Sequence, residues 1–451
     1  MKTLLSTPLG LFLACVGLAV VIGLAVLIRR APRPATVVWL AVLVFVPVWL
    51  GPTVGVYLYP ASCTGILLLI ALAPRWISLF GIGDLLVAFM VGLCVAAKFL
   101  GGQSSFSAVL TMLLQWILMY LLGRSLPSRV GLDWMYRAVA IVFSAAAALG
   151  LAEFFLGWNP FVQWSSGNGL YQVWSPLQLR GGLVRVEGAF GHSIAFGASM
   201  ALAVPVVLRA VPWRLRTRML LTGVIIASTI VTFSRVAMLC AVLGLLFSAL
   251  FGRGRLPLAF RAGVFPVVGL LTLAVMPFIS SVFSAAGSEA TNSADYRGSL
   301  LGLVPHMATI GYSPLASRSA GGELYFGQFQ SIDSQLILTG LTYGWLPLIF
   351  ALLGLLIAVA AMLCRVATAP TIALVAQIPA LATVALITQY ASVLWLFVGL
   401  AVYSQIAERG QPERTDNAAS RRESVAATSS RRLRRPRSGV EMSGQHQTAP
   451  A

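Results

Sequence analysis

A chain of 451 residues in which 58% are apolar and only 10% charged, with a mean hydropathy of +0.88, lies far outside the soluble range and must be solvated by lipid. Its formal net charge of +18 does not make it a nucleic-acid binder, because the arginines fall in short clusters between apolar runs. The composition therefore predicts an all-α, polytopic integral membrane protein whose first partner is the lipid bilayer.

The first apolar run, 8–28, is long enough to span, lacks a basic leader and is followed by Arg29, Arg30 and Arg33. It reads as a retained helix rather than a cleaved signal. Further spans are predicted at 36–50, 55–73, 82–100, 106–123, 136–157, 192–211, 219–234, 236–251, 262–283, 336–364, 371–388 and 392–405. That makes about 12–13 transmembrane helices, several of them shorter than the roughly 20 residues that cross a bilayer upright.

Orientation follows from the basic clusters, since short cytoplasmic loops retain arginine and lysine. One register of alternation puts every cluster inside, among them Arg124, Arg129 and Arg137, and Arg209, Arg214, Arg216 and Arg218. It leaves the alternate connections outside, among them the short one at Arg235, a medium loop, 157–191, and a large one, 283–335. The C-terminus falls in the cytoplasm, and the membrane is expected to be the inner (cytoplasmic) membrane of a cell. Residues 1–407 form the membrane domain, and 408–451, rich in Arg, Ser, Ala, Gln and Pro, read as a disordered basic tail. The run from Arg431 to Arg437 in that tail would be drawn to anionic headgroups.

Cys15, Cys63, Cys94, Cys240 and Cys364 all lie in predicted spans without paired spacing, which points to packing rather than disulfides. With three histidines, one of them in the tail, no protein-bound metal and no other cofactor is expected.

The chemistry is expected in the two outer loops. The large one carries Glu289, Asp295, Tyr296, Arg297, His306, Arg318, Glu323 and Asp333. His306 reads as part of a loop helix whose Leu300, Leu301, Val304 and Met307 face the membrane. The medium loop is rich in tryptophan (Trp158, Trp164, Trp174) and ends in Arg185, Glu187, Gly188, Gly191 and His192 at the start of a small-residue helix. Free backbone N–H groups there would make a seat for an oxyanion or phosphate. Arg235 sits between two apolar runs whose connection is very short, so it must either find a partner or serve a ligand. Glu153 and Glu187 are the candidate partners, and a diphosphate is the candidate ligand. Asp333 reads as a base or as the N-cap of the next helix, a task Ser334 can also perform.

These segments resemble a known family. Arg185-x-x-Gly188-x-Phe190-x-His192, Ser234-Arg235-Val236-Ala237, Asp295-Tyr296-Arg297 with Gly311-Tyr312-Ser313-Pro314-Leu315, and Ile332-Asp333-Ser334-Gln335-Leu336 with Leu341 to Leu346 follow one another as in the O-antigen ligase and O-antigen polymerase family. The likeness covers about 150–360. Two positions depart from it: Ser193-Ile194 stands where the family has Pro-Asn, and Asp333 where it has a loop histidine. An outer-face carboxylate serves in related cell-wall polymerases, so the resemblance is to the polymerase-like branch.

What the resemblance implies is a GT-C-like membrane glycosyltransferase that needs no metal. It would move a glycan from a polyprenyl-diphosphate carrier to an acceptor glycan during surface polysaccharide assembly, with other assembly membrane proteins as possible partners. Arg185, Arg235 and Arg297, with Arg318 in reserve, would neutralise the leaving diphosphate. Asp333, or else Glu187, would take the proton from the acceptor hydroxyl. The alternatives are a ligase that attaches finished glycan, a lipid-linked glycan transporter or flippase, and a noncatalytic member of an assembly complex.

Overall fold

The computed structural model describes residues 8–72, 80–100, 106–251, 256–285, 296, 298–319 and 323–409. Glu289, Asp295, Arg297 and the tail beyond 409 lie outside the described residues. Contacts divide the chain into 1–405, which holds the helical bundle, and 406–451, of which the end of the last helix is described.

The architecture is all-α. Among the described residues seven helices are long and apolar enough to cross a membrane: Ile82–Leu100, Phe106–Val130, Leu132–Leu156, Ser193–Ala210, Leu258–Val282, Trp345–Leu363 and Thr388–Glu408. That is fewer than the sequence predicts, in part because Pro32–Phe45, Pro60–Leu72, Arg235–Phe251 and Ala369–Thr383 are apolar but short. Among the described residues the strands form three two-stranded hairpins in connections. Together these features define an all-α membrane protein.

Ser193–Pro205 is the central helix, and every residue in it except Ile194 is buried. Its small residues explain why: a Cβ built on Gly197 would lie 2.7 Å from the Cβ of Ala237 and 3.1 Å from Oγ1 of Thr232. Helices can approach this closely only where side chains are small. The neighbour so admitted is Arg235–Phe251, its most extensive packing partner. Leu258–Ala285 is the opposite case, with Leu258, Val267, Leu270 and Leu273 all exposed. In a bilayer such a surface meets hydrocarbon.

Arginines close the helix ends away from the two loops. Arg29 Nε donates to the Ala71 carbonyl at 2.7 Å and Arg33 Nε to the Val130 carbonyl at 3.2 Å, each satisfying an orphan carbonyl at a helix C-terminus. Farther back on the helix that ends at Val130, Arg124 forks onto Asp84, Nε to Oδ1 at 2.9 Å and Nη2 to Oδ2 at 3.0 Å.

Two predicted spans are broken. The run 336–364 divides at Gly344 into Gln335–Tyr343 and Trp345–Leu363. Gly344 has φ +99°, and a Cβ there would sit 2.7 Å from the Thr309 carbonyl oxygen, so the large loop presses on the one residue able to turn. The run 371–388 forms Ala369–Ala376 and Ile378–Thr383, then extends until helix Thr388–Arg409 begins. The extended stretch is bonded by one side chain and its backbone: Gln335 Oε1 accepts from Leu386 N at 2.9 Å, and Gln335 N donates to the Val384 carbonyl at 3.0 Å. Non-helical backbone at membrane depth persists where protein satisfies it in this way.

The described part of the large loop has its own core of Leu300, Leu303, Met307, Phe326, Phe329 and Ile332, closed by Leu341 and Leu348. Leu300 and Met307 therefore pack inward, not toward the membrane as the sequence suggests, while Leu301 is exposed. The loop is fastened at its middle. Gly311 N donates to the Tyr343 carbonyl at 2.9 Å and Ser313 N to that of Leu341 at 2.8 Å. The buried ammonium of Lys98 donates to the Tyr312 hydroxyl and lies 4.7 Å from the Tyr312 ring centre and 5.2 Å from that of Tyr343. Lys98→Ala removes both the hydrogen bond and the cation–π contacts, so a stability loss of about 1–2 kcal/mol is expected. Hydrogen exchange should then quicken across 311–319; unchanged protection there would contradict the fastening.

Candidate functional site

The medium loop folds back over the end of Leu132–Leu156. Glu153, one turn from that helix end and 3% exposed, reaches into the loop with both oxygens. Oε1 accepts from Asn159 Nδ2 at 3.0 Å and from Glu187 N at 3.1 Å, and Oε2 accepts from Gly188 N at 2.9 Å. Asn159 Nδ2 also donates to the Gly188 carbonyl at 3.0 Å. The expected oxyanion seat is thus occupied by the protein's own carboxylate, because the helix that carries Glu153 ends directly beneath it. His192 caps the next helix through Nδ1, which accepts from Ile194 N at 3.2 Å.

Gly191 closes this turn with φ +61°, and a Cβ on it would lie 2.4 Å from the Trp174 carbonyl oxygen and 2.8 Å from Cζ3 of Trp49. Gly191→Ala is expected to cost about 2–4 kcal/mol. Thermal unfolding checks this, and a wild-type midpoint would contradict it.

Glu187 is fully buried. Its Oε1 accepts from Gln178 N at 2.9 Å, while Oε2 has no hydrogen-bond partner among the described residues. Burial pushes this carboxyl up to about 7; the Glu153 carboxylate adds to the shift, and the Gln178 N–H and the Arg185 guanidinium oppose it.

Arg185, 6% exposed, points at the turn between Leu215–Ile230 and Arg235–Phe251. Its Nε donates to the Thr232 carbonyl at 2.9 Å and its Nη1 to Gln178 Oε1 at 3.2 Å. Gln178 Oε1 also accepts from Ser193 Oγ at 2.9 Å, which locks the guanidinium to the central helix. Arg180 comes to the same turn from the hairpin Leu179–Arg180 with Leu183–Val184, whose Gly181 and Gly182 both have positive φ. Its Nη1 donates to the Phe233 carbonyl at 3.0 Å. Phe233 has φ +49° and is wholly buried, so this turn is held in a strained backbone conformation. Arg235 leaves the turn with its side chain exposed.

Three guanidinium-bearing residues, Arg180, Arg185 and Arg235, therefore meet at one helix-to-helix turn beside a buried acid. Glu153 and Glu187, the candidate partners of Arg235, both accept hydrogen bonds from loop backbone.

Asp333 and Arg318 stand on the second loop. Ser334 performs the capping, its Oγ accepting from Ile337 N at 3.3 Å. That leaves Asp333 half-buried, with Oδ1 accepting from Ser331 Oγ at 3.2 Å. Arg318 is exposed on the strand Ala316–Arg318. The two loops share one support, the stretch 384–389. Gln335, two residues beyond Asp333, binds Val384 and Leu386, while Gln389 Nε2 donates to the Ala189 carbonyl at 2.8 Å, two residues beyond Glu187.

Sequence reasoning missed Arg180, whose placement depends on the Gly-Gly turn, and the organising role of Glu153. An acid inside a predicted span is itself a signal, and Glu153 carries it. No protein-family model, curated protein or solved structure matches this chain.

Proposed function

We propose that this protein is a polyprenyl-diphosphate-glycan glycosyltransferase of the polymerase-like kind, working where its two loops meet the bilayer. The observation that carries the reading is the gathering of Arg180, Arg185 and Arg235 around the 231–235 turn, a short connection between two apolar helices. Guanidinium groups in such a setting suit a diphosphate anchored by a hydrocarbon chain. Arg180 and Arg235 would touch it. Arg185, bonded to backbone and to Gln178, would hold the turn in place for them, with Arg297 and Arg318 supplying charge from the large loop.

In this reading the acceptor hydroxyl oxygen attacks the anomeric carbon from the face opposite the diphosphate. The bond from that carbon to the phosphate oxygen breaks, the diphosphate leaves on its carrier, and the hydroxyl proton passes to Asp333. Glu187 has no exposed surface, so it acts by positioning Gln178. The loops would face the outside of the cytoplasmic membrane, with the C-terminus inside. A transporter reading draws on the unwound stretch 384–387. The side chains bonded to and beside that stretch are the neutral Gln335 and Gln389, whereas ion-coupled transport calls for ionisable groups.

Asp333→Asn and Arg235→Gln are each expected to lower turnover about 10²- to 10³-fold with little change in thermal stability. Chain length of the lipid-linked product, read on gels, follows the loss. Full-length polymer from both variants would end the enzyme reading.

A further inference from the structure

We propose that the bundle end away from the two loops carries a binding site for the phosphate of an anionic phospholipid, built by Arg209, Arg218 and Arg261. The three come from different helices but converge: Arg209 and Arg261 bond to the adjacent carbonyls of Ser248 and Ala249, and Arg218 bonds to that of Leu208, next to Arg209 in the chain. Each folds back onto helix-terminal carbonyls. Arg209 Nη1 donates to Ser248 O at 2.6 Å, and Arg218 Nη1 to Leu208 O at 3.0 Å. Arg261 Nε donates to Ala249 O at 2.8 Å and its Nη2 to Leu250 O at 3.4 Å. Guanidinium groups that served only to mark topology would extend into water. These three are half-buried at the level of the helix ends, where lipid phosphates lie.

Nothing nearby in the sequence neutralises them, since the chain has no acidic residue between Glu187 and Glu289. Nε of Arg218 is buried without a hydrogen-bond partner among the described residues, so this arginine keeps one donor that the described residues do not use. An apolar side chain adjoins it on the same helix face: Leu258, 78% exposed, stands three residues before Arg261. A ligand with a phosphate and acyl chains fits both features, whereas a soluble phosphate fits only the first. The site stands apart from the 231–235 turn and does not depend on the glycosyltransferase reading.

The test uses the full-length protein in detergent. Thermal stabilisation and native mass spectrometry are followed with cardiolipin, phosphatidylglycerol, phosphatidylcholine and inorganic phosphate. Cardiolipin is expected to bind about tenfold tighter than phosphatidylcholine. The double variant Arg218→Gln/Arg261→Gln should weaken it about thirtyfold. The control double variant Arg214→Gln/Arg216→Gln removes the same charge from exposed positions on the same helix and should stay within about twofold.

Equal loss in the two double variants would reduce the effect to diffuse surface charge and overturn the proposal. So would phosphatidylcholine binding as well as cardiolipin, or inorganic phosphate protecting as well as lipid. If Arg218→Gln/Arg261→Gln does not fold, the ranking of the four ligands on the unmodified protein decides.

Discussion

Glu153→Ala is expected to destabilise the protein by about 3–5 kcal/mol, because it strands three buried donors at once. The N–H groups of Glu187 and Gly188 and the Asn159 amide all donate to this one carboxylate. None of them has water to turn to, since Asn159 is 1% exposed and Glu187 wholly buried. Glu153→Gln should cost about half as much: one oxygen survives, but its NH₂ must face a backbone donor. Denaturant or thermal unfolding of the purified protein measures both. The ordering matters more than the size, and a Gln variant as damaged as Ala would mean that charge, not hydrogen bonding, holds the loop.

Replacing Glu187 should have the opposite effect above neutral pH. Its carboxyl is pushed up from 4.5 to about 7, chiefly by burial. Below pH 4.5 the folded and unfolded chains both hold the proton, and its burial costs nothing electrostatic. As pH rises from 4.5 to 7 the unfolded chain releases the proton first. Stability therefore falls through this window, by roughly 3 kcal/mol in all, and levels off above it. Glu187→Gln removes the contribution of this carboxyl to the slope and should exceed wild type in stability at pH 8. Melting curves from pH 4.5 to 8 test this; a wild-type stability that rises with pH through the window would contradict the burial argument.

The membrane class was legible from composition, and long spans such as Ile82–Leu100 and Leu132–Leu156 from unbroken apolar runs. The breaks were not. Nothing local distinguishes Gly344 from other glycines in apolar sequence, because it turns only where the Thr309 carbonyl presses on it. The stretch 384–387 likewise unwinds beside Gln335, about fifty residues earlier in the chain.

At the site, Arg185, Glu187 and Arg235 were recognisable as costly charges beside membrane helices. Their bonds were not, since a guanidinium that binds a ligand and one that binds a carbonyl look alike in sequence. The anion seat at Gly188 shows the same limit. Its donors were foreseen, but its occupant, Glu153, is a residue that an apolar-run reading absorbs into a helix.

The central claim is that cations at the 231–235 turn serve a lipid diphosphate undergoing glycosyl transfer. The most direct measurement places purified protein in liposomes with a polyprenyl-diphosphate-linked repeat unit as both donor and acceptor, and follows the lipid products over time. The account predicts longer lipid-linked chains, with one free polyprenyl diphosphate released per unit added, and neither product from Arg235→Gln. Donor that stays intact, or merely changes leaflet, would contradict it.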